Sequence, residues 1–563
     1  MKETIFFMFC IVMTLVLTLE PVKPQGQQLK IAKPSEVQYQ WHEQERIMFV
    51  CLDPCTWQGR EYDDHSIALD RINPKDLDTD QWCETAKLWG AREILFVAKH
   101  TGGFCWWQTE TTDYNIKNTP YKNGKGDVLK DLSVSCKKYG LNLGIYVYPG
   151  DETWGAGIGS GGRTKDPSKQ EAYNKIFRQQ LKETLANYGD IIEIWFDGSC
   201  IIDVSDILEK YAKNSVIFQG PHATLRWSGT ESGKLFYPVW NAVKSEDMNT
   251  GVSTQVHSDP EGDIWAPLET NTTLYDHYWF WSPKKVKHRK SLADLMECYY
   301  KSVGYGSVFL LNSTPDTTGL IPKEDVKLYM AFGDEISRRF KTPIAEEKNI
   351  EGEIIILSLA KDQKVNHIVT MEDYRKGQRI REYVLEGFSK GSWKELYRGK
   401  SIGRKKIDYF EEINLSKIRL NVIESSGKPI IRSIAAYYVE DFKAPPKQGV
   451  KPWSAWQELS DWKLNPDEVV KLDIDLSGKI KLPGQYTVKI KPGIADMKVK
   501  ISEVQLFYDG HQAMDKFISV SGNEININRT AQVTGESQIS LIFKLKCSNS
   551  CDGKISFRPS LIY

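Results

Sequence analysis

The sequence predicts an α/β protein in which a (β/α)8-like barrel is followed by a β-sandwich and a further C-terminal β-rich domain. Between about Ile47 and Arg339, apolar runs alternate with amphipathic segments, as strands and helices do in a parallel sheet. Beyond Pro343, short strand-like runs follow one another closely. No glycine-rich phosphate loop follows an early strand, which disfavours a doubly wound nucleotide-binding sheet.

The barrel elements are predicted from apolar runs and from helical spacing. Predicted strands are 92–98, 141–148, 191–196, 215–219 and 307–311, and predicted helices are 79–90, 127–139, 169–188, 203–211 and 291–303. A strand followed by a helix, repeated over this length, favours a parallel barrel closed on itself.

The length of 563 residues implies about three or four structural units. We predict a signal peptide at 1–28, the barrel at 29–345, the β-sandwich at 346–443 and the last β-rich domain at 444–563. A proline-rich stretch at 444–452 is the predicted linker before the last domain.

The first residues resemble a signal peptide, since Lys2 precedes an apolar run too short for a confident membrane span. We therefore expect an exported protein, periplasmic, secreted or at the cell surface, with no membrane span after signal removal. Ten cysteines are scattered without metal-ligand spacing. Among them, Cys547 and Cys551 are close enough to suggest a disulfide across a tight turn, and the others are expected to be reduced.

Charge and composition narrow the class of partner. The 74 basic and 74 acidic residues give a net charge of zero, which favours neither nucleic acid nor an anionic membrane as a partner. Aromatic residues make up 11% of the chain, and several of the 17 tryptophans lie in polar, loop-like sequence. Flat apolar rings suit the C–H faces of sugars, although core packing explains most of them.

Residues 190–200 read D-I-I-E-I-W-F-D-G-S-C, an apolar strand that ends in Asp197 and Gly198. An ionisable side chain just past a buried strand lies where parallel barrels carry their active sites. Hydrolysis of a glycosidic bond needs a second carboxyl group on the other side of the scissile bond. Our candidate is Glu269, which lies beside Trp265 and Pro267 in a stretch predicted to be rich in loops, with Glu231, Asp263 and Glu261 as competing acids.

Several motifs together resemble glycoside hydrolase family 29, the retaining α-L-fucosidases. They are E-I-W-F-D-G-S at 193–199, K-H-T-G-G-F at 99–104, R-W-S-G-T-E at 226–231, and L-L-N-S-T-P-D at 310–316 followed by G-L-I at 319–321. Their shared order along the chain, rather than any single motif, carries the resemblance. It covers roughly residues 49–439, including the family's C-terminal sandwich.

The resemblance implies a double displacement with Asp197 as nucleophile. In the branch with a Trp-x-Pro-x-Glu motif it places the acid/base on Glu269, and it calls for no metal or organic cofactor. The implied partner is an oligosaccharide or polysaccharide. The expected substrate-binding residues are His100, Trp107, Tyr146, Trp195, Glu61, Thr101, Cys51, Arg226 and Glu231.

The chain departs from the family pattern around the sugar. Thr101 and Gly102 stand where the family has His and Asp, Cys51 replaces a sugar-facing His, and Tyr62 replaces a Trp. Smaller side chains leave more room, so an α-L-galactoside or a substituted L-sugar is the alternative to an α-L-fucoside. A catalytically inactive carbohydrate-binding protein is the alternative of another class.

Overall fold

The computed structural model describes residues 31–248, 251, 253–445, 450–452, 456–480, 485–493, 497–508, 510–513, 518–527 and 538–562. The predicted signal peptide and Cys10 lie outside the described residues. Within these ranges, no helix has the length and apolar character needed to cross a membrane. The domain limits expected from the sequence stay predictions.

Eight parallel strands form the first sheet. They are β1 Arg46–Val50, β2 Glu93–Lys99, β3 Asn142–Val147, β4 Ile191–Trp195, β5 Val216–Phe218, β6 Arg226–Trp227, β7 Leu268–Thr272 and β8 Val308–Ser313. Their spatial order is β5-β4-β3-β2-β1-β8-β7-β6. A parallel bridge between Phe218 and Leu225 links the two ends, so the sheet is a nearly closed barrel.

Within the described residues, eight α-helices accompany the strands. They are α1 Glu36–His42, α2 Cys55–Gln58, α3 Thr79–Leu88, α4 Val128–Tyr139, α5 Gln170–Asn187, α6 Ser205–Tyr211, α7 Leu292–Lys301 and α8 Lys323–Phe340. Local signals fix their ends, as in α4, where the Asp127 side chain accepts a hydrogen bond from the Lys130 N–H and Gly140 closes the helix at φ 64°. A short hairpin of Ala242–Val243 and Ile264–Trp265 lies between β6 and β7.

The second sheet has six antiparallel strands. They are β9 Ala345–Glu351, β10 Ile354–Glu372, β11 Ile380–Ser389, β12 Ser392–Gly399, β13 Lys406–Ser425 and β14 Ile430–Tyr437, in the order β9-β14-β10-β13-β11-β12. The sheet contacts the barrel through Arg404, whose Nη1 lies 3.0 Å from Glu45 Oε2, and through His367, whose Nε2 lies 2.8 Å from Tyr300 Oη. Glu45 immediately precedes β1, so this contact lies at the amino-terminal end of the barrel.

The C-terminal part is a β-sandwich of two sheets around its own apolar core. Its strands are β15 Val450–Pro452, β16 Gln457–Leu464, β17 Val469–Asp475, β18 Gln485–Pro492, β19 Val499–Tyr508, β20 His511–Gln512, β21 Ile518–Ser521, β22 Glu524–Ile527, β23 Ile539–Cys547 and β24 Cys551–Ile562. One sheet has the order β15-β24-β18-β22-β21, with β16 also paired to β24, and the other is β17-β23-β19-β20. The predicted disulfide between Cys547 and Cys551 is confirmed, and so is the predicted fold class.

The barrel interior is built of stacked side-chain layers, because alternate residues of each strand point inward. On β4, Glu193 and Trp195 follow each other up the interior, and Asp197 comes next above them. On β7, Glu269 lies one layer below Asn271. Two residues along a strand correspond to about 6.6 Å, so each step up moves a side chain into a different environment.

Glu93, Glu193 and Glu269 form an acidic layer inside the barrel, and all three are fully buried. The Glu193 carboxylate accepts a hydrogen bond from Trp195 Nε1 and another from Trp41 Nε1, each 2.6 Å long. Among the described residues, neither carboxyl oxygen of Glu269 has a hydrogen-bond partner. Burial, followed by the charge of Glu193, raises the pKa of Glu269 well above its ordinary value. We infer that Glu269 is in its neutral form in this layer.

The replacement Glu269→Gln tests this assignment through the pH dependence of stability. A carboxyl whose pKa is higher in the folded state stabilises the fold fully below its unfolded pKa of about 4.3. That contribution is lost as the pH rises toward the folded-state pKa. Since glutamine does not titrate, we expect the Tm of E269Q relative to wild type to increase between pH 5 and pH 8, as measured by thermal denaturation.

Glu193→Gln is the matched control for this measurement. One amide oxygen cannot replace two carboxylate oxygens that each accept an indole N–H, so E193Q should lower the Tm at both pH values. An equal loss of Tm at pH 5 and pH 8 in E269Q would mean that Glu269 is not held neutral.

Candidate active site

A cavity of about 280 Å³ opens at the carboxyl-terminal end of the barrel strands. Its apolar lining comes from inward-facing strand residues and from one loop: Phe49, Val97, Trp195, Phe218, Trp227 and Phe280. Three carboxylate side chains also line it, those of Asp197, Glu231 and Glu61. A small aromatic cavity with a few convergent polar groups is the usual form of a small-molecule site.

Asp197 lies two residues past the end of β4 and is held from two sides. Tyr146 donates a hydrogen bond from its hydroxyl to Asp197 Oδ2 at 3.0 Å. The chain then turns sharply through Gly198 and Ser199, whose φ values are 74° and 73°. Gln219 Oε1 fixes this turn by accepting the Gly198 N–H at 2.7 Å. Burial raises the pKa of Asp197, whereas the Tyr146 hydrogen bond lowers it in part.

Glu231 lies in the loop after β6, where it lines the cavity while part of its side chain is exposed to solvent. Burial is the main reason that its pKa is raised, and the negative charges of Asp197 and Glu61 raise it further. A side-chain hydrogen bond with Trp279 and the nearby His277 act in the opposite direction. Asp197 and Glu231 therefore share one cavity and influence each other electrostatically.

Glu61 differs from the other two acids because both of its oxygens are occupied. Its Oε1 forms an ion pair with Lys285 Nζ, and its Oε2 accepts the backbone N–H of Trp279 at 2.8 Å. These bonds tie the loop after β1 to the loop after β7. They hold the Glu61 side chain in a fixed position at the cavity wall.

His100 lies just past β2 and is 8% exposed. Its ring stacks on Tyr62 with a centroid distance of 6.1 Å and an interplanar angle of 7°. Burial lowers the pKa of His100 to about 3, so the imidazole is neutral near pH 7 and offers one donor and one acceptor.

Behind the cavity, Asp53 and Cys55 form a buried cluster with His100, with ligand atoms within 4.8 Å of one another. His100 Nδ1 lies 3.9 Å from Asp53 Oδ2. Burial raises the pKa of the Cys55 thiol well above its ordinary value, so it stays protonated. At 3.9 Å the Asp53 carboxyl group and the His100 imidazole are too far apart for a direct hydrogen bond, and no metal is inferred from the cluster.

The structure brings most of the sequence-predicted residues to this cavity. Those that line it are Asp197, His100, Tyr146, Trp195, Glu61, Cys51 and Glu231. They come from different strand ends and loops of the barrel, and only closure of the sheet makes them neighbours.

The prediction that Glu269 faces the sugar is wrong. The stretch expected to be loop contains β7, and Glu269 lies on this strand with no exposed surface. Asn271, two residues further, is the β7 residue that lines the cavity. Glu269 therefore belongs to the acidic layer beneath the cavity floor. The competing acids Asp263 and Glu261 do not line the cavity either.

Three other predicted binding residues also lie outside the cavity. Trp107 is fully buried, and its Nε1 donates to Glu183 Oε2 on α5 at 3.0 Å. Arg226 donates its guanidinium N–H groups to the backbone carbonyls of Ala266, Thr254 and Trp240.

Thr101 is the third of these residues. It is 2% exposed, and its Oγ1 lies 3.4 Å from His100 Nδ1. The expected extra room at Gly102 is absent as well, because the Asp63 carboxylate occupies the space that a side chain at 102 would need.

Sequence reasoning missed several lining residues: Gln219, Trp227, Asn271, Trp279, Phe280 and His277. Gln219 ends the predicted strand 215–219, so the strand-end rule could have found it, whereas Trp227 ends β6, a strand that the sequence did not predict. Gln219 has a left-handed backbone with φ 60°, a conformation that is strained outside glycine.

Comparison with known proteins agrees with this geometry. The alpha-L-fucosidase family matches residues 33–338, which is more than half of the 563 residues. Alpha-L-fucosidase 1 of Arabidopsis thaliana is 27% identical over 503 residues, covering 80% of this chain and 96% of that protein.

Solved structures are similar in fold and sequence. A candidate alpha-L-fucosidase from Bacteroides thetaiotaomicron has a TM-score of 0.67 and 32% identity, covering 73% of this chain and 100% of that one. A glycoside hydrolase 29 family member from an unknown rumen bacterium has a TM-score of 0.65 and 26% identity, covering 92% and 96%. The chain therefore belongs to the alpha-L-fucosidase family, glycoside hydrolase family 29, and is a glycoside hydrolase.

Proposed function

We propose that the protein is a retaining exo-glycosidase that removes terminal α-L-fucosyl residues from oligosaccharides or polysaccharides, with Asp197 as nucleophile and Glu231 as acid/base. The observation that carries this proposal is the placement of these two carboxyl groups in one small cavity with different surroundings. Two acids with unlike environments can divide the roles of nucleophile and proton donor.

Asp197 is suited to nucleophilic attack on the anomeric carbon. The Tyr146 hydroxyl holds Oδ2, and the turn fixed by Gln219 keeps the side chain above Trp195. Attack forms a bond between a carboxylate oxygen and the anomeric carbon while the glycosidic C–O bond breaks.

Glu231 is suited to act as the general acid that protonates the oxygen of the leaving group. Its raised pKa keeps it protonated at higher pH than an ordinary glutamate, as a general acid requires. In the first step it transfers its proton to the leaving oxygen. In the second step it removes a proton from water, which attacks the anomeric carbon and releases Asp197 as a carboxylate.

The cavity supports action on a single terminal sugar. Its volume of about 280 Å³ lies at the lower end of the range for ligand pockets, which favours one ring over an internal stretch of polymer. Trp195 and Phe218 stack at 3.8 Å and give the floor an apolar surface suited to C–H groups. Neutral His100 and the Glu61 side chain supply polar contacts for hydroxyl groups.

Replacement of each acid tests the two assigned roles. Asp197→Ala should lower kcat by at least about 10³-fold on any aryl α-L-fucoside, because no other group can form the covalent intermediate. Glu231→Gln should lower kcat by about 10² to 10⁴-fold for a poor leaving group and far less for a good one. Steady-state kinetics on two aryl fucosides of different leaving-group pKa measures both effects.

Glu269→Gln is the matched control, since it removes the acid that the sequence motif suggested and should leave kcat within about threefold of wild type. In Glu231→Ala the general base is missing, and azide can attack the covalent intermediate in place of water. Azide added to this variant should therefore yield a fucosyl azide of retained configuration. A large, leaving-group-dependent loss in E269Q together with a normal E231Q would transfer the acid/base role to Glu269.

The pH profile of kcat/KM should be bell-shaped. Activity is lost as the pH falls through the pKa of Asp197, which must be ionised to attack, and burial moves this limb above the ordinary Asp value. Activity is also lost as the pH rises through the raised pKa of Glu231, which must be protonated. In E231Q the alkaline limb should disappear, and its persistence would contradict the assignment.

Cys51 supports an α-L-galactoside as a second substrate, because its small side chain lines the cavity where the family has a larger one. We expect aryl α-L-fucoside to be preferred over aryl α-L-galactoside by about 10- to 100-fold in kcat/KM, since an apolar wall rejects one added hydroxyl only weakly. Parallel kinetics on the two substrates checks this expectation, and faster turnover of the galactoside would make it the principal substrate.

A further inference from the structure

The outer face of the C-terminal sandwich carries a cluster of cations around one tryptophan. We call Trp456, Lys489, Lys491 and Arg558 the Trp456 face. We propose that the Trp456 face binds an anionic polysaccharide, one that carries sulfate ester or carboxylate groups. This inference concerns a surface separate from the barrel cavity and does not depend on the assigned catalytic residues.

Strand register places these side chains on one face. β18 and β24 pair antiparallel, with Thr487 opposite Arg558, Lys489 opposite Ser556 and Lys491 opposite Lys554. The alternate residues of both strands, such as Val488 and Phe557, are buried in the sandwich core. The polar set therefore points to the opposite, outer face, because successive side chains of a strand alternate.

Trp456 is the centre of the cluster. The Arg558 guanidinium carbon lies 4.2 Å from the indole centroid, and the Lys491 and Lys489 ammonium groups lie 5.4 Å and 5.8 Å from it. All three cationic groups therefore lie within about 6 Å of the ring centroid, the range of a cation–π interaction. Trp456 is itself only partly buried.

The charges of this face are incompletely balanced. Lys489 pairs with Glu524 at 2.8 Å, and Lys554 pairs with Glu458 at 2.7 Å. In the described part of the chain, Lys491 and Arg558 form no ion pair with a carboxylate. Lys491 also stands directly opposite Lys554, but Glu458 interacts with both lysines and partly offsets their repulsion.

The face is open to solvent. The Lys489 side chain is 38% exposed, and Trp456, Lys491 and Arg558 are partly exposed. A neighbouring groove of about 700 Å³ also includes Lys491, but Asp461 and Asp552 line it together with lysines, so the groove is not part of the proposed anion-binding face.

A polysaccharide fits these features better than the other polyanions do. An indole beside two unpaired cations offers a flat ring for a sugar and positive charge for its acidic substituent. A nucleic acid would require a larger basic surface than two surplus charges in a chain of zero net charge. Binding here would hold a polymeric substrate near the enzyme.

The test is affinity gel electrophoresis of the full-length protein in gels containing dextran sulfate, polygalacturonate or neutral dextran. We expect retardation by one or both charged polymers, lost in 0.5 M NaCl, and none by neutral dextran. The relative retardation by sulfate and carboxylate polymers identifies the preferred anion. Trp456→Ala and Lys491→Gln should each weaken the apparent affinity about tenfold.

Trp393→Ala is the matched control. Trp393 also stacks with an arginine, Arg419, at 4.3 Å, but Arg419 is already paired with Glu386. W393A should bind the charged polymers as wild type does, and all variants should hydrolyse a small aryl glycoside at the wild-type rate. If W456A lowers the Tm, K491Q provides the test instead, because it removes one cation and leaves Trp456 in place.

Three results would overturn the proposal: no retardation of the wild type by either charged polymer, equal affinity of wild type and K491Q, or tighter binding of double-stranded DNA than of both charged polysaccharides.

Discussion

The period-two alternation of side chains along closed, parallel strands is the constraint on which the site depends. On β4 it points Glu193, Trp195 and Asp197 into the barrel at successive heights. Glu193 is therefore sealed in the interior, Trp195 forms the floor of the cavity, and Asp197 stands above that floor at the open end. A shift of the strand by one residue would turn all three outward.

Trp195, the floor of the cavity, is held from below by a hydrogen bond to Glu193 and from the side by aromatic packing. The Glu193 carboxyl group accepts the Trp195 indole N–H, which fixes the plane of the ring. Phe218 stacks on this ring at 3.8 Å with an interplanar angle of 9°, and Phe49 packs against it at 5.1 Å. Because these contacts fix the Trp195 ring, it keeps its position when a sugar replaces water in the cavity.

The six-stranded sheet packs against the amino-terminal end of the barrel. The six-stranded sheet is joined to the residues just before β1 and to α7, as the pairs Arg404–Glu45 and Tyr300–His367 show. These contacts bury charged and aromatic groups at the amino-terminal end of the strands. The loops at the other end of the barrel can therefore vary with the substrate without disturbing these contacts.

The sequence by itself determined the class of fold, the positions of most barrel strands and helices, and the importance of Asp197. Strand-like runs, helix spacing and an acid at a strand end are local properties, so they can be recognised without tertiary structure. The resemblance of the motifs also pointed to the correct family. Glu231 was recognised as a binding residue and as a competing acid, but not as the first choice for acid/base.

Only the tertiary structure decided which acids share the cavity. Glu269 and Glu231 both lie near tryptophans in sequence, and each motif is compatible with a desolvated carboxyl group. The register of β7 places Glu269 one layer too deep, whereas the loop after β6 brings Glu231 to the wall. Height within a barrel depends on the pairing of distant strands, and a residue's neighbours in the sequence do not specify it.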